Sequence, residues 1–501
     1  IVINMGLAVL FKEISFITQT VSPILQLAVS LDYAIFLMHS FQQFLKTEEP
    51  TKAMQLAMRR ALPAVAASAA TTVIGFAALI FMRFGIGSDL GIHLAKGVAL
   101  SFLSVMIFLP ALTLSCYKLI NKTKHKNLMP SFNKVSKGLM KTKIPFLILA
   151  LIMVIPCFLA QLNTGFLYGT GGIAGSSRAG KDTIAIEKTF GKDNPLVLIV
   201  PQKNSGKEME LCDELSQIPK IKSVISYVTA VGAQIPSQYV PQEVVDQFYS
   251  GDYTRIILYT NAPEEGEETF NMVQTVLDTA DNYYEKYYLT GQSAALLDMK
   301  NMVEIDTRIV NLIAIFGIFM VILITFRSIT IPIFLVFTIE TAIWINLSFA
   351  YFGNNSLSFI GYLIISTVQL GATVDYAILL TNHYLTERKE MLKNKAMLKA
   401  LTENIAAILV SASILSASGF ILAATSSNPI IAELGLLLGR GTVLSFVMVV
   451  CVLPALLLIF DKVIQKTTLK CGFYLENKNR INKNEIDKKD MITVTSTEKG
   501  V

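Results

Sequence analysis

Leu31-Asp32-Tyr33-Ala34-Ile35 interrupts a long apolar helix with one acid and one phenol, and Val374-Asp375-Tyr376-Ala377-Ile378 repeats it almost letter for letter. Upstream, Gln26-Leu27 matches Gln369-Leu370 at the same spacing. A carboxylate near the middle of a membrane span is costly on every scale, so it marks a function and needs a partner. Two of them at matching positions of a duplicated helix bundle predict a proton-coupled transporter.

Hydrophobic residues make up 52% of the chain and charged ones 16%, and the mean hydropathy is +0.53. The apolar residues fall in blocks of about 20, the length that crosses a bilayer. That composition excludes an ordinary soluble domain. The net charge of +6 comes from Lys and Arg placed mainly between spans, where they act as topology signals; no nucleic-acid partner is expected. Cys116, Cys157, Cys212, Cys451 and Cys471 show no metal or redox spacing, and His39, His93, His125 and His383 are scattered. No metal, cofactor or disulfide is expected. The chain opens at Ile1, partway through an apolar run, and reads as a fragment lacking its N-terminal part.

The fold class expected is a polytopic α-helical membrane protein. Residues 1–120 read as the end of a first transmembrane repeat (a partial span plus three spans), and 121–143 as a cytoplasmic basic linker. Residues 144–161 form the first span of a second repeat, 162–305 an outer domain, 306–461 five remaining spans, and 462–501 a cytoplasmic polar tail, disordered from about residue 476. The stretch 46–60 reads as a basic connection, after which Pro63 opens a span at 62–82 rich in Ala, Ser and Thr. Within the outer domain, strands are expected at 195–200, 221–228, 253–260 and 286–290, with helices at 207–216 and 267–282. Two successive βαβ units of this kind suggest an α+β ferredoxin-like domain. Basic loops at 46–60, 118–143 and 387–403 face the cytoplasm. Residues 162–305 then fall outside, and the spans alternate consistently.

The repeat extends beyond the Asp-Tyr pair. Gly75-Phe76 meets Gly419-Phe420, Gly91 meets Gly435, and Pro110-Ala111-Leu112 meets Pro454-Ala455-Leu456, at an offset of 344. Both copies run in one direction, as parallel six-span repeats with a site at their interface. The same register aligns Lys96 with Arg440, so each half brings one acid and one base into the apolar zone. Each cation lies about eight residues farther out than its Asp, roughly 12 Å along a helix, so a direct ion pair and snorkelling toward the outer surface both stand as readings. Glu340 is a third intramembrane acid. Asp89 and Glu433 read as first-turn acids that favour the helix dipole, and Gly435 and Gly439 as a small-residue packing face. His39 and Asn382 lie inward of the Asp residues and could extend a proton path toward the cytoplasm.

With these motifs, residues 1–461 resemble the MMPL family of the resistance-nodulation-division superfamily: the duplicated Asp-Tyr spans, Gly439-Arg440-Gly441 and the closing Pro454-Ala455-Leu456-Leu457 carry the likeness. The resemblance implies an exporter in the bacterial cell membrane with porter-type outer domains, driven by inward proton flow. Its partners would be membrane lipids, protons and a hydrophobic or amphiphilic cargo such as a lipid or drug. The proton relay would comprise Asp32, Tyr33, Asp375 and Tyr376, with each Tyr bonding a carboxylate across the interface and Lys96 and Arg440 as charge partners. Competing readings are a sterol-sensing or receptor-like protein and a protein-translocation motor of the same superfamily. An intramembrane aspartyl protease is a poor fit, because its Gly-x-Gly-Asp motif is missing at Asp375; no enzyme is expected.

Overall fold

In the computed structural model, residues 1–11, 14–123, 132–169, 178–191, 193–202, 204–469 and 472–473 are described. Among them, nine helices are long and apolar enough to cross a membrane. Four precede the outer domain: Phe16–Phe44, Pro50–Phe81, Gly85–Ser115 and Asn133–Leu162. Five follow it: Gln292–Phe326, Thr330–Phe352, Phe359–Arg388, Lys393–Thr425 and Pro429–Ile459. A short helix, Val2–Gly6, stands before the first. The expected polytopic helical architecture is present. The Asp375 helix, Phe359–Arg388, is the most enclosed, with 94% of its apolar window buried inside the protein. It is therefore the axis against which the others pack.

Local signals set the helix ends. Ser15 caps Phe16–Phe44 by accepting from the Ile17 amide, and Asn428 caps the last span by accepting from Ile430 and Ile431, each relieving orphan N–H groups. Asp89 and Glu433 act differently from the dipole reading. The Asp89 carboxylate accepts from the Ser15 amide at 2.8 Å, and that of Glu433 accepts from the Ser358 amide at 3.1 Å. Each acid thus closes the N-terminus of the neighbouring Asp-bearing helix, a duplicated tie between spans. Pro110 and Pro454 each follow a π-turn, at Ser104–Phe108 and Met448–Val452. Proline removes an i→i−4 bond and crowds the carbonyl one turn back, and a widened turn accommodates both.

Several boundaries differ from the sequence reading: the span expected at 144–161 begins at Asn133, inside the expected linker, the strand expected at 221–228 ends at Ile225, and two connections shorten. The stretch read as a basic connection is largely helix, because Pro50 rather than Pro63 takes the first helical position and Pro63 lies inside the helix. Ala53, Met54, Gln55, Leu56, Ala57 and Met58 favour helix strongly, so Lys52, Arg59 and Arg60 lie on the helix itself. Likewise, the loop read at 387–403 shrinks to a short turn between Arg388 and Lys393. Residues 124–131 of the linker and nearly all of the tail beyond Leu469, including the segment read as disordered, lie outside the described residues.

The outer region contains the strands Asn194–Pro201, Ile221–Ile225, Tyr253–Thr260 and Tyr288–Gly291 and the helices Ser205–Ser216 and Glu267–Tyr283. In chain order the strands stand second-third-first-fourth across the sheet, with antiparallel neighbours, so each βαβ unit is split by a strand of the other. Leu196, Leu198, Val200, Ile256 and Leu258 alternate inward and share one core with Leu211, Leu215, Val273 and Val276 from the helices. Each fully buried Leu or Ile contributes about 1.5–3 kcal/mol. The span Gln292–Phe326 leaves this region without a break. Its buried Asp306 accepts from the Arg83 and Phe84 amides at 2.8 and 3.3 Å, clasping the outer turn of the first half.

One buried carboxyl sits in the outer region. Glu208 is 3% exposed and accepts from Tyr249 and Thr254 at 3.4 and 3.3 Å. Burial raises its pKa above the usual carboxylate range. A raised folded-state pKa stabilises the fold at low pH, and that contribution is lost as pH rises through the folded value. Glu208→Gln should therefore unfold at a higher temperature than wild type at pH 8. The difference should close near pH 4, as read by differential scanning calorimetry of the full chain in detergent.

Candidate functional site

The two halves meet closely outward of Asp375. Gly75 faces Gly371 so tightly that an added Cβ on Gly75 would stand 3.0 Å from the Gly371 Cα. This contact brings the Pro50–Phe81 helix of the first half against the Asp375 helix of the second. Three hydroxyls then line up toward the acid: Ser68, Thr71 and Thr72. Thr71 Oγ1 stands 3.4 Å from Asp375 Oδ1, and Thr72 Oγ1 donates to the Gly371 carbonyl at 2.9 Å.

Asp32, Tyr33, Asp375 and Tyr376 all line a single cavity of about 50 Å³, together with Phe36, Ser68, Leu379, Ile408 and Ser411. That volume accommodates a few waters. The structure thus brings together the four residues expected to form the relay. Their bonding differs from expectation: Tyr33 OH reaches Thr72 at 3.5 Å rather than a carboxylate. Among the described residues, Asp32 Oδ1, Asp375 Oδ2 and the Tyr376 hydroxyl are buried without a hydrogen-bond partner. The surroundings of the two acids are unequal. Ser68, Thr71 and Thr72 beside Asp375 correspond by the repeat to Ala412, Leu415 and Ser416, and Ser416 is occupied with the Gly439 carbonyl at 3.0 Å.

Lys96 and Arg440 do not pair with the acids. Among the described residues, neither Asp32 nor Asp375 forms an ion pair. Arg440 instead donates from Nε to Asn346 Oδ1 at 2.7 Å and from a terminal nitrogen to the Asn346 carbonyl at 2.8 Å, with its guanidinium 4.6 Å from the Phe349 ring centre. Lys96 Nζ stands 4.9 Å from the Phe11 ring centre and has no hydrogen-bond partner among the described residues. Separation along the helix explains the correction: roughly 12 Å of rise exceeds the reach of an ion pair. Glu340 lies on Thr330–Phe352 and is absent from the lining of the Asp cavity.

The matching Gln26 and Gln369 each anchor a second duplicated constellation. Gln369 donates to the Gly441 carbonyl and Ser445 Oγ at 3.0 and 3.1 Å and accepts from Asn346 at 3.0 Å. Gln26 donates to the Gly97 carbonyl and Ser101 Oγ at 3.0 and 3.2 Å and accepts from Asn4 at 2.9 Å. Partner for partner the two networks match, and each ties an Asp-bearing helix to the helix carrying the cation.

Sequence reading also missed a group at the inner end of the second half. His383, Glu387 and Glu403 bring ligand-type atoms within 4.8 Å of one another. Their spacing, split between two helices, gives no local motif.

A family profile described as "MMPL family" matches residues 3–127 and 183–471. The "Apo-petrobactin exporter" of Bacillus anthracis is 23% identical over 480 residues, covering 88% of this chain and 62% of that protein. "Putative membrane protein ActII-3" of Streptomyces coelicolor is 24% identical over 464 residues, covering 87% and 61%. "Putative membrane protein SCO5905" of the same organism is 22% identical over 429 residues, covering 81% and 48%. The chain therefore spans at most 62% of the length of these three relatives.

The buried amide networks give a stability test. Gln369→Leu should cost about 1–3 kcal/mol by removing the acceptor for one Asn346 Nδ2 hydrogen and the donor to Ser445 Oγ and the Gly441 carbonyl. Gln26→Leu should cost a comparable amount, both read as lowered Tm in detergent.

Proposed function

The chain belongs to the MMPL family, and from that premise we propose that it is the proton-coupled core of a bacterial plasma-membrane exporter, driven by the proton-motive force. One observation carries the reading: a carboxylate from each repeat opens into the same small cavity at the interface of the halves. Like charges confined together in a low dielectric resist simultaneous ionisation, so protonation of one acid changes the attraction between halves. Asp32 and Asp375 carry the proton. The hydroxyls of Tyr33, Tyr376, Ser68, Thr71, Thr72 and Ser411 supply donors and acceptors along its way.

The cargo is a hydrophobic or amphiphilic compound, such as a lipid or drug. The name of the Bacillus anthracis relative supports export as the direction of travel. We read the outer region as a ferredoxin-like, porter-type domain that handles cargo; its split βαβ strand order supports this. Its helix Gln292–Phe326 enters the membrane directly, so a shift of the halves is carried outward.

In proteoliposomes containing a pH-sensitive dye, an imposed gradient should drive proton entry. Asp32→Asn and Asp375→Asn should each reduce it by roughly a hundredfold while keeping the wild-type Tm. Flux absent in wild type with candidate lipids present, or unchanged in both variants, would overturn the reading in favour of a sensor of the same superfamily.

A further inference from the structure

The Asp cavity is duplicated in its acids, but the region inward of it is not. Phe36, Leu379 and Ile408 form an apolar part of its lining. One helical turn beyond Leu379 stands His383, and one turn beyond Ile408 stands Asn404, next to Glu403. The helix that bears Glu403, Lys393–Thr425, packs against both Asp-bearing helices. Ile408 and Ser411 of this helix line the cavity that holds both acids. By the repeat, His383 and Glu387 correspond to Ser40 and Phe44, and Glu403 to Arg59. The carboxylates occupy one half alone.

The protonation of this cluster follows from its hydrogen bonds. Asn404 Nδ2 donates to the Ala400 carbonyl at 2.7 Å, which fixes the orientation of the amide, and its second hydrogen meets His383 Nδ1 at 2.6 Å. Nδ1 is therefore an acceptor, and the proton of neutral His383 sits on Nε2. Nε2 is 3.1 Å from Glu403 Oε2 and 3.5 Å from Glu387 Oε1. Lys399 lies 2.8 Å from Glu387 Oε2. His39, on the Asp32 helix, feels the charges of Glu403, Arg60 and Lys46. Its Nε2 meets the Gln43 amide at 3.0 Å, and Gln43 in turn accepts from Arg60 at 3.2 Å. Glu390 also acts on Lys399. At the centre, Lys399 pairs with Glu387 and acts on Glu403 from farther away, His383 is neutral, and among the described residues no Lys or Arg lies within ion-pair distance of Glu403. His383 and Glu387 are each only 10% exposed, whereas Glu403 is 35% exposed and reaches water.

The geometry points to Glu403 as the inner proton acceptor of this protein, with His383 and Glu387 as positioning residues. This rests on the proton-coupled reading above and names the group that receives what the Asp pair releases. When the apolar turn between cavity and cluster admits water, a proton leaves the Asp375 carboxyl along that water. An O–H bond forms on Glu403, Asp375 becomes a carboxylate again, and Glu403 then loses the proton to the cytoplasmic solution. His383 keeps its Nε2 proton throughout and, 3.1 Å from Glu403 Oε2 without hydrogen-bond alignment, attracts the carboxylate electrostatically. The same three side chains have the donor types of a divalent-metal site. Two features oppose that use: Lys399 already occupies a Glu387 oxygen, and Asn404 selects the tautomer in which Nε2 is protonated and cannot ligate.

The test uses the full chain in proteoliposomes with a luminal pH dye, oriented so that the cytoplasmic face lines the lumen. At low luminal buffer, Glu403→Gln should slow proton entry at least about tenfold. Luminal imidazole should restore it by accepting the proton directly, and Glu403→Asp should retain most of the rate. A merely structural role would not respond to imidazole. Asp375→Asn should remain slow with imidazole present. If Asp375→Asn abolishes flux while Glu403→Gln matches wild type at low buffer, the inner-acceptor assignment falls and the Asp relay survives. A loss in Glu403→Gln that imidazole does not relieve, with Tm unchanged, also overturns it. Stoichiometric bound metal that His383→Ala releases overturns it in favour of a metal site. If wild type moves no protons, both readings fall.

Discussion

Away from water, a buried amide or hydroxyl must find its partner within the protein, and the membrane part of this chain is arranged by that obligation. Asn346, Gln369, Ser445 and the Gly441 carbonyl satisfy one another, and so do Asn4, Gln26, Ser101 and the Gly97 carbonyl. These networks fix which face each Asp-bearing helix turns toward its neighbour. Once that rotation is set, Asp32 and Asp375 point into the interface. Asp32 Oδ1 and Asp375 Oδ2 are among the buried atoms that the surroundings, within the described residues, leave without a hydrogen-bond partner.

Much of this was readable in the chain because duplication writes each important position twice. Asp32 with Asp375, Gln26 with Gln369 and Pro110 with Pro454 stood out without any structure, and apolar blocks located the spans. The strands of the outer region were visible from their alternation. What stayed hidden depends on helix rotation and on contacts between residues far apart in the chain. Thr71 and Asp375 are 304 positions apart, and the run Ser68-Ala69-Ala70-Thr71-Thr72 reads equally well as small-residue packing. The cation partners were misjudged for a related reason. Shared register says that Lys96 and Arg440 are equivalent, but not that Asn346 stands nearer to Arg440 than any acid does. His383 looked isolated because its companions Glu403 and Asn404 come from the next helix.

Symmetry in this protein is strongest at the outer and central levels and fails toward the cytoplasm. Asp89 and Glu433 cap equivalent helices. At the inner end, Arg388 grips Asp461 through two bonds of 3.1 Å and Tyr384 joins them, whereas the corresponding positions are Leu45, Tyr117 and Phe41. A buried ion pair of this kind is costly to break once formed. The inner end of the second half is accordingly pinned to the last span, and the equivalent position in the first half has no such lock.

The clasp at Asp306 has a mechanical meaning. Gln292–Phe326 is a single rod of 35 residues, roughly 50 Å long at 1.5 Å per residue. Asp306 grips the first half's outer turn about two fifths of the way down it, so the rod is a lever with a fixed fulcrum. Its short arm reaches into the outer region and its long arm crosses the bilayer. Displacement at the inner tip arrives at the outer tip reversed in direction and reduced by about a third. A displacement at the inner end of the rod is thereby geared into a smaller, stiffer one at its outer end.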